Sequence, residues 1–456
     1  MPSSCPLFLL GLLALAAVSS AGELLRNPTF AARPGDALPA DWTAWQPPWE
    51  GAHCALSPTP DGLKVSAPRR PFAVGGVQQT VTGLTGGHAY AVEAECELHK
   101  IAFPLQAVTV RVDWLTGDQP AHPAGVLVAC GTRGSRVKGV AAFSDVLIAP
   151  EGADSARLTL ELRWPQGGAV TWKRVSLTPT ELPSPRKVKV GTVYLRPANS
   201  TPEQNLGLWC EQIDAAGKLG LDIVCLGEAI LMVGTGKSLA DTAEPIPGPS
   251  TQRLGEVARR NHLYVVAGLI ERSGPDLYNT AVLLDREGKL AGTYRKVHLP
   301  REEWRSGIRP GHEYPVFETD FGTIGIQICY DWFFPEVAGI LARKGAEIIF
   351  APTWGTTFPD QDGMAEGETV FRVRARDNGV CMVPCVYDGS SLVIDPLGRI
   401  LASNQGQTGV FWAEIDLNVR EPLEWVGHWR SIGPRDRMPG TYGEPTENEW
   451  PASRHP

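Results

Sequence analysis

Phe321-Gly-Thr-Ile-Gly-Ile-Gln-Ile-Cys329-Tyr-Asp-Trp-Phe-Phe-Pro335-Glu336 alternates as a short strand, ends on a cysteine, and turns at once toward a proline suited to a helix start. A strand-to-helix turn lifts the Cys329 thiol out of the sheet and points it at a helix N-terminus, the setting that makes a nucleophile. A cysteine kept for core packing needs no such punctuation. The stretch marks this part of the chain as strand followed by helix, and Cys329 as the residue on which function turns.

Outward from it, the same texture runs from Lys187 to about Ile415. Lys187-Val-Lys-Val-Gly-Thr-Val-Tyr-Leu195 reads as a strand. Thr201, Pro202 and Gln204 then supply an N-cap, a proline at the first helical position and a capping-box glutamine. Leu206, Cys210, Ile213 and Ala216 recur at helical spacing until Gly220 stops the helix. Leu221 to Leu226 is the next strand, Thr251 to Asn261 the next helix, and Leu263 to Ile270 another strand. Alternation of this kind predicts an α/β domain whose sheet is covered by helices.

Toward the N-terminus the period changes to two. Tyr90, Val92, Ala94, Cys96 and Leu98 alternate with Glu93, Glu95 and Glu97; Val108 to Trp114 and Leu158 to Trp164 do the same. Residues 23–179 are thus expected to form an all-β sandwich without a helical stretch. Leu25 to Phe30 followed by Pro39-Ala-Asp-Trp42 resembles the opening of jelly-roll, carbohydrate-binding-like modules. Trp42, Trp45 and Trp49 are candidates to stack on sugar rings, with core or loop packing as the alternative. A proline-rich connector, residues 180–186, separates the halves, and residues 419–456 carry Trp425, Trp429 and Trp450 with little periodicity.

The 456 residues, 43% hydrophobic and 20% charged, suffice for two cores, and disorder or coiled coil is disfavoured. A net charge of −8 without clustered Lys/Arg argues against nucleic acid and for small-molecule partners. Residues 1–21 form a short apolar run ending at Ser19 and Ala21, read as a cleaved export signal. No other run reaches membrane length, so the expected location is secreted or periplasmic, with no membrane partner after cleavage. Eight cysteines remain after Cys5, an even count that permits disulfides but fixes no pairing. No HExxH or CxxC spacing occurs, so neither metal nor cofactor is expected.

Three chemical groups lie near predicted strand ends: Glu228 after Ile223-Val-Cys-Leu-Gly227, Lys296 in Thr293-Tyr-Arg-Lys-Val-His-Leu-Pro300, and Cys329. A carboxylate can take the thiol proton and an ammonium can neutralise a developing oxyanion. Each has a plainer reading: a packed cysteine, a capping glutamate, a lysine on a solvated face. Trp354 follows a strand facing the same rim and lines the pocket or packs in the core. His298 is read as packing or hydrogen bonding, and Asp331 and Trp332 as shaping the loop behind the thiol.

Leu226-Gly-Glu228, Tyr294-Arg-Lys296-Val-His-Leu-Pro300 and Gly325 to Glu336 resemble, in order, the three signature blocks of the nitrilase superfamily of carbon–nitrogen hydrolases. Gly345 to Gly355, Arg374 to Gly379 and Ser391 to Leu401 agree, and the resemblance covers residues 187–418. It implies a four-layer αββα sandwich that pairs into a homodimer. It also implies a Glu228, Lys296 and Cys329 triad, a second glutamate at Glu303 with Glu302 as competitor, and the Tyr330 N–H as an oxyanion donor. The implied reaction cleaves an amide or carbamoyl C–N bond through a thioester. Cys-Tyr-Asp at 329–331 is similar to the amidase and N-carbamoyl-amine branches, where nitrilases commonly carry Cys-Trp-Glu. Nitrile hydrolysis is the alternative within the superfamily. A different class of reading is a secreted binding protein, with glycan contact through the sandwich and an inactive hydrolase domain.

Overall fold

The computed structural model describes residues 22–67, 72–122, 125–128, 139–356, 366–419 and 427–438. The expected export signal, together with Cys130, Trp425 and Trp450, lies outside them. The chain divides into two compact units, Met1–Pro183 and Ser184–Pro456.

In the first unit two antiparallel sheets enclose one core. One is ordered Thr43–Trp45, Val74–Thr82, Ser155–Arg163, Val108–Thr116, Gln119–Pro120; the other Ala55–Thr59, Gly62–Ser66, Ala169–Thr180, Ala89–His99, Val140–Ile148. The alternating apolar residues point inward: Val92, Ala94, Cys96, Val110, Val112, Leu158 and Leu160 are buried around Trp172. A one-turn helix, Pro104–Ala107, departs from the helix-free expectation, because Pro104 sets a helical start ahead of the strand at Val108. Trp164 leaves its strand, adopting φ +50° just past Arg163. Trp42 is a core residue, 4% exposed, its ring tilted against Phe30 with centroids 5.0 Å apart and its Nε1 donating to Asn27 O, so it is unavailable to a sugar. Trp45 is half-buried with the Arg111 guanidinium 6.0 Å from its ring, and Trp49 is exposed.

The second unit is built on two six-stranded sheets. The first runs Leu290–Arg295, Asp276–Leu284, Tyr264–Ser273, Ile223–Cys225, Lys187–Tyr194, Gly409–Asp416; the second Val316–Glu318, Thr323–Ile326, Ile348–Gly355, Cys381–Asp388, Leu392–Ile394, Ile400–Ser403. Their central strands pair in parallel, as crossover helices require. Val190, Ile223, Val265, Ile326, Phe350 and Val383 from both sheets share one core, so the sheets pack face to face. Helices Pro202–Lys218 and Pro249–Asn261 pair on the outside of the first sheet, carrying Trp209, Ile213, Leu254 and Val257 into that core. Helices Pro335–Arg343 and Glu366–Asn378 pair on the second, burying Val337, Leu341, Phe371 and Ala375 against Ile349 and Met382. The layers are αββα.

Local signals account for these elements. Thr201 Oγ1 accepts from Gln204 N–H at 3.2 Å and Gln204 Oε1 accepts from Thr201 N–H at 2.9 Å, a reciprocal cap that starts the first helix. Gly220, at φ +68°, ends it. The expected strand at 321–329 is paired only over Thr323–Ile326, and Cys329–Phe333 forms a one-turn 3₁₀ helix before Pro335. In the C-terminal part, whose sequence has little periodicity, residues Trp429–Asp436 form a helix. It is tied back by Trp429 Nε1 donating to Asp377 O at 2.8 Å and Arg437 Nη2 donating to Asn378 Oδ1 at 3.2 Å.

Candidate active site

Glu228, Lys296 and Cys329 each follow a strand of this two-sheet core. Glu228 lies three residues past Cys225, where the chain hugs the neighbouring strand: Gly268 N–H donates to Gly227 O and Ile230 N–H to Gly268 O, both at 2.9 Å. The approach demands glycine at 268, since a Cβ there would sit 2.7 Å from Glu228 Cα and 2.8 Å from Gly227 O. Lys296 is fixed by its own backbone, its N–H donating to Asn279 O at 2.8 Å and its carbonyl accepting from Gly311 N–H at 2.8 Å.

The side chains converge below the surface. Lys296 is fully buried, and its Nζ donates to Glu228 Oε1 at 2.9 Å and to Glu303 Oε1 at 2.5 Å. Asn279, also buried, bridges the two carboxylates by donating Nδ2 to Glu228 Oε1 at 2.7 Å and to Glu303 Oε2 at 3.3 Å. Glu302, the competitor, faces solvent beside Arg301. A buried ammonium is tolerable only with carboxylates around it. Burial pushes the Lys296 pKa down, but Glu228 first, then Cys329 and Glu303, push it up and win, so the ammonium stays charged. The Glu303 carboxyl is raised by burial, and Lys296 only partly offsets that.

Cys329 opens its 3₁₀ turn at φ +42°, the left-handed region that a residue with a Cβ enters only under constraint. It is half-buried by exposed surface, yet its thiol feels a largely desolvated environment. Burial first, and the Glu228 carboxylate second, push its pKa up to about 12, with Lys296 and the Trp354 amide pulling the other way. The thiol is therefore protonated at neutral pH. Glu228 Oε2 is buried without a hydrogen-bond donor at normal distance. The Tyr330 N–H, in the first turn of this 3₁₀ helix, has no acceptor within its own helix. The Tyr330 ring sits 4.9 Å from Phe333 and 5.4 Å from Phe334.

Trp354, half-buried at the end of Ile348–Gly355, meets Tyr387 edge-on at 5.5 Å. Tyr387 is buried and donates to Glu228 O at 2.7 Å, holding the backbone of the carboxylate. Asp331 is fully buried, and Trp332 packs beside Phe371, ring centroids 5.9 Å apart. Sequence reasoning did not pick out Asn279 or Tyr387. Both are ordinary polar residues inside apolar strands, Asp276–Leu284 and Cys381–Asp388, and the one available signal was that a buried Asn or Tyr demands partners. Among the described residues no group of three His, Cys, Asp or Glu has metal-binding geometry. A cavity of about 220 Å³ bordered by Asp395, Arg399, Glu414 and Trp429 shares no residue with this cluster.

Comparison with known proteins identifies the family of the second unit. The carbon-nitrogen hydrolase family profile matches residues 189–424. The omega-amidase NIT2 of Xenopus tropicalis is 32% identical over 243 residues, covering 48% of this chain and 87% of that protein. The Bos taurus omega-amidase NIT2 is 34% identical over 238 residues, covering 48% and 85%. Among solved structures, Saccharomyces cerevisiae Nit3, described as a member of branch 10 of the nitrilase superfamily, shares 28% identity at a TM-score of 0.44, covering 50% of this chain and 90% of its own. A carbon-nitrogen hydrolase from Helicobacter pylori G27 shares 23% at a TM-score of 0.47, covering 56% and 97%. With the profile spanning over half of its length, the chain belongs to the carbon-nitrogen hydrolase family.

Proposed function

We propose that the protein hydrolyses a non-peptide amide or carbamoyl C–N bond through a thioester on Cys329. The observation that carries this reading is the buried Glu228–Lys296–Glu303 cluster beside a cysteine on a left-handed turn. Because the thiol is protonated at rest, attack needs a base, and the undonated Oε2 of Glu228 suits that role. As sulfur bonds to the carbonyl carbon, its proton passes to Glu228. The oxyanion forms against Lys296 Nζ and the Tyr330 N–H, in a site where one such donor is worth roughly 3 kcal/mol of barrier. Glu228 returns the proton to the leaving nitrogen, the C–N bond breaks, and ammonia or an amine departs. Glu228 then takes a proton from water, which cleaves the thioester to the acid and the free thiol. Glu303 and Asn279 keep Lys296 charged and Glu228 oriented, and Trp354 lines the acyl side. Amide substrates are also favoured by the omega-amidase names of the relatives.

Export, homodimer formation and glycan contact remain part of the proposal, the last falling to Trp49, which is 76% exposed. The test incubates the full chain with simple amides, carbamoyl compounds and nitriles, measuring ammonia and the mass of the Cys329 peptide. Turnover of amides or carbamoyl compounds with an acyl adduct on Cys329 is expected, and Cys329→Ala should abolish both. A folded protein without turnover or adduct across the panel, or activity that survives Cys329→Ala, overturns the reading.

A further inference from the structure

Two residues beyond the nucleophile, Asp331 is fully buried and its two oxygens take four contacts from two separate chain segments. Oδ2 accepts from Ile328 N–H at 3.0 Å and from the Tyr294 hydroxyl at 2.7 Å. Oδ1 accepts from His298 N–H at 3.0 Å and lies 2.9 Å from His298 Nδ1. Tyr294 and His298 stand two residues to either side of Lys296, while Ile328 immediately precedes Cys329. One side chain is thus bonded to both segments that carry the reacting groups.

We infer that Asp331 is a positioning residue that sets Lys296 against Cys329; the inference rests on the roles proposed above for those two. Strained backbone persists only where its surroundings over-determine it. Here Asp331 N–H donates to Ile328 O at 3.0 Å while its side chain takes the Ile328 N–H, clamping the chain on both sides of the left-handed Cys329. Phe334 N–H closes the turn on Asp331 O at 3.1 Å. On the lysine side, the His298 ring lies flat on Phe334, 3.8 Å between centroids, which fixes the direction of Nδ1. Burial, reinforced by Asp331, pushes the Tyr294 phenol well above its usual pKa, so it remains a donor. Fully occupied and sealed from solvent, Asp331 has no oxygen left for substrate. Its influence is geometric, and displacements of about 1 Å in such sites can cost 100-fold in rate.

The test compares the wild-type chain with Asp331→Asn and Tyr294→Phe, following turnover of a responsive amide, the pH profile of Cys329 alkylation by iodoacetamide, and the thermal midpoint. Asp331→Asn keeps the shape but turns an NH2 toward N–H donors, and should lower kcat about 100-fold with KM nearly unchanged while displacing the alkylation profile. Tyr294→Phe removes a single donor and should lower kcat about 10-fold, which keeps the inference testable if the first variant does not fold. A shifted midpoint with wild-type kcat and a wild-type alkylation profile, in either folded variant, overturns it. Alkylation needs no substrate. A wild-type chain inert to every amide and carbamoyl compound therefore removes the hydrolase reading, while the alkylation profiles still decide whether Asp331 governs the thiol.

Discussion

Replacing Lys296 with Met removes the cation that Glu228 and Glu303 both contact, while keeping most of its aliphatic stem. The lysine is fully buried, Glu228 is 2% exposed, and the two contacts measure 2.9 and 2.5 Å. Breaking a buried pair by deleting one partner costs about 3–5 kcal/mol, because the remaining charge is stranded. In a unit of this size each kcal/mol moves Tm by about 2–4 °C, so the hydrolase unit should melt about 6–20 °C lower. The loss should depend on pH. Glu303 is already raised by burial, with Lys296 holding it down in part, and without the lysine it must rise further. A carboxyl whose folded pKa exceeds its unfolded value contributes stability that is full below the unfolded pKa and lost as pH rises through the folded one. The deficit should therefore be largest near pH 8 and shrink toward pH 5, approaching the unfolded carboxyl value of about 4.3. Scanning calorimetry of the full chain at both pH values measures it. A variant melting within about 2 °C of wild type at the higher pH, or a deficit equal at both, would refute the reasoning.

Gly268→Ala places a Cβ against backbone atoms of 227–229, which cannot swing aside; we expect a loss of about 1–3 kcal/mol and of about 100-fold in turnover, and unchanged turnover would show that Glu228 tolerates the shift. Glu228→Gln removes the carboxylate that helps raise the Cys329 pKa, so iodoacetamide should reach half-maximal alkylation at lower pH than in wild type even as amide turnover falls at least about 100-fold. A profile moved upward would contradict that electrostatic assignment. Asn279→Ala takes a donor from both carboxylates and should cost about 1–3 kcal/mol in urea unfolding along with part of kcat; a stability equal to wild type would mean the bridge carries little. Thr201→Ala deletes the reciprocal cap and should cost about 1 kcal/mol at constant m-value, with catalysis untouched.

Legibility in the sequence followed the range of the interactions. The cap at Thr201–Gln204, the two-residue period of Tyr90 to Leu98 and the strand-to-turn passage at Cys329 are set by neighbours within a few residues, and all are visible in the linear pattern. Short-range cues also place Glu228 and Lys296 at strand ends, but only the fold brings together residues 68 apart. The choice between Glu302 and Glu303 depends on helical phase: in the short helix Arg301–Arg305, adjacent residues face different ways, and only Glu303 reaches Lys296. Asn279, Tyr387 and the reach of Asp331 to Tyr294 are long-range hydrogen bonds with no periodic signature. The tryptophans near the N-terminus show the opposite failure. Composition marks all three alike, yet burial removes Trp42 from the surface and leaves Trp49 on it.

The cysteine inventory carries a practical consequence. Of the seven described cysteines six are buried, and Cys329 alone among them has open surface. A thiol-directed label applied to the folded chain should find the reactive cysteine ahead of the other six. The protein thus arrives with its own probe, and protection of residue 329 from such a label can register ligand entry without any engineered site.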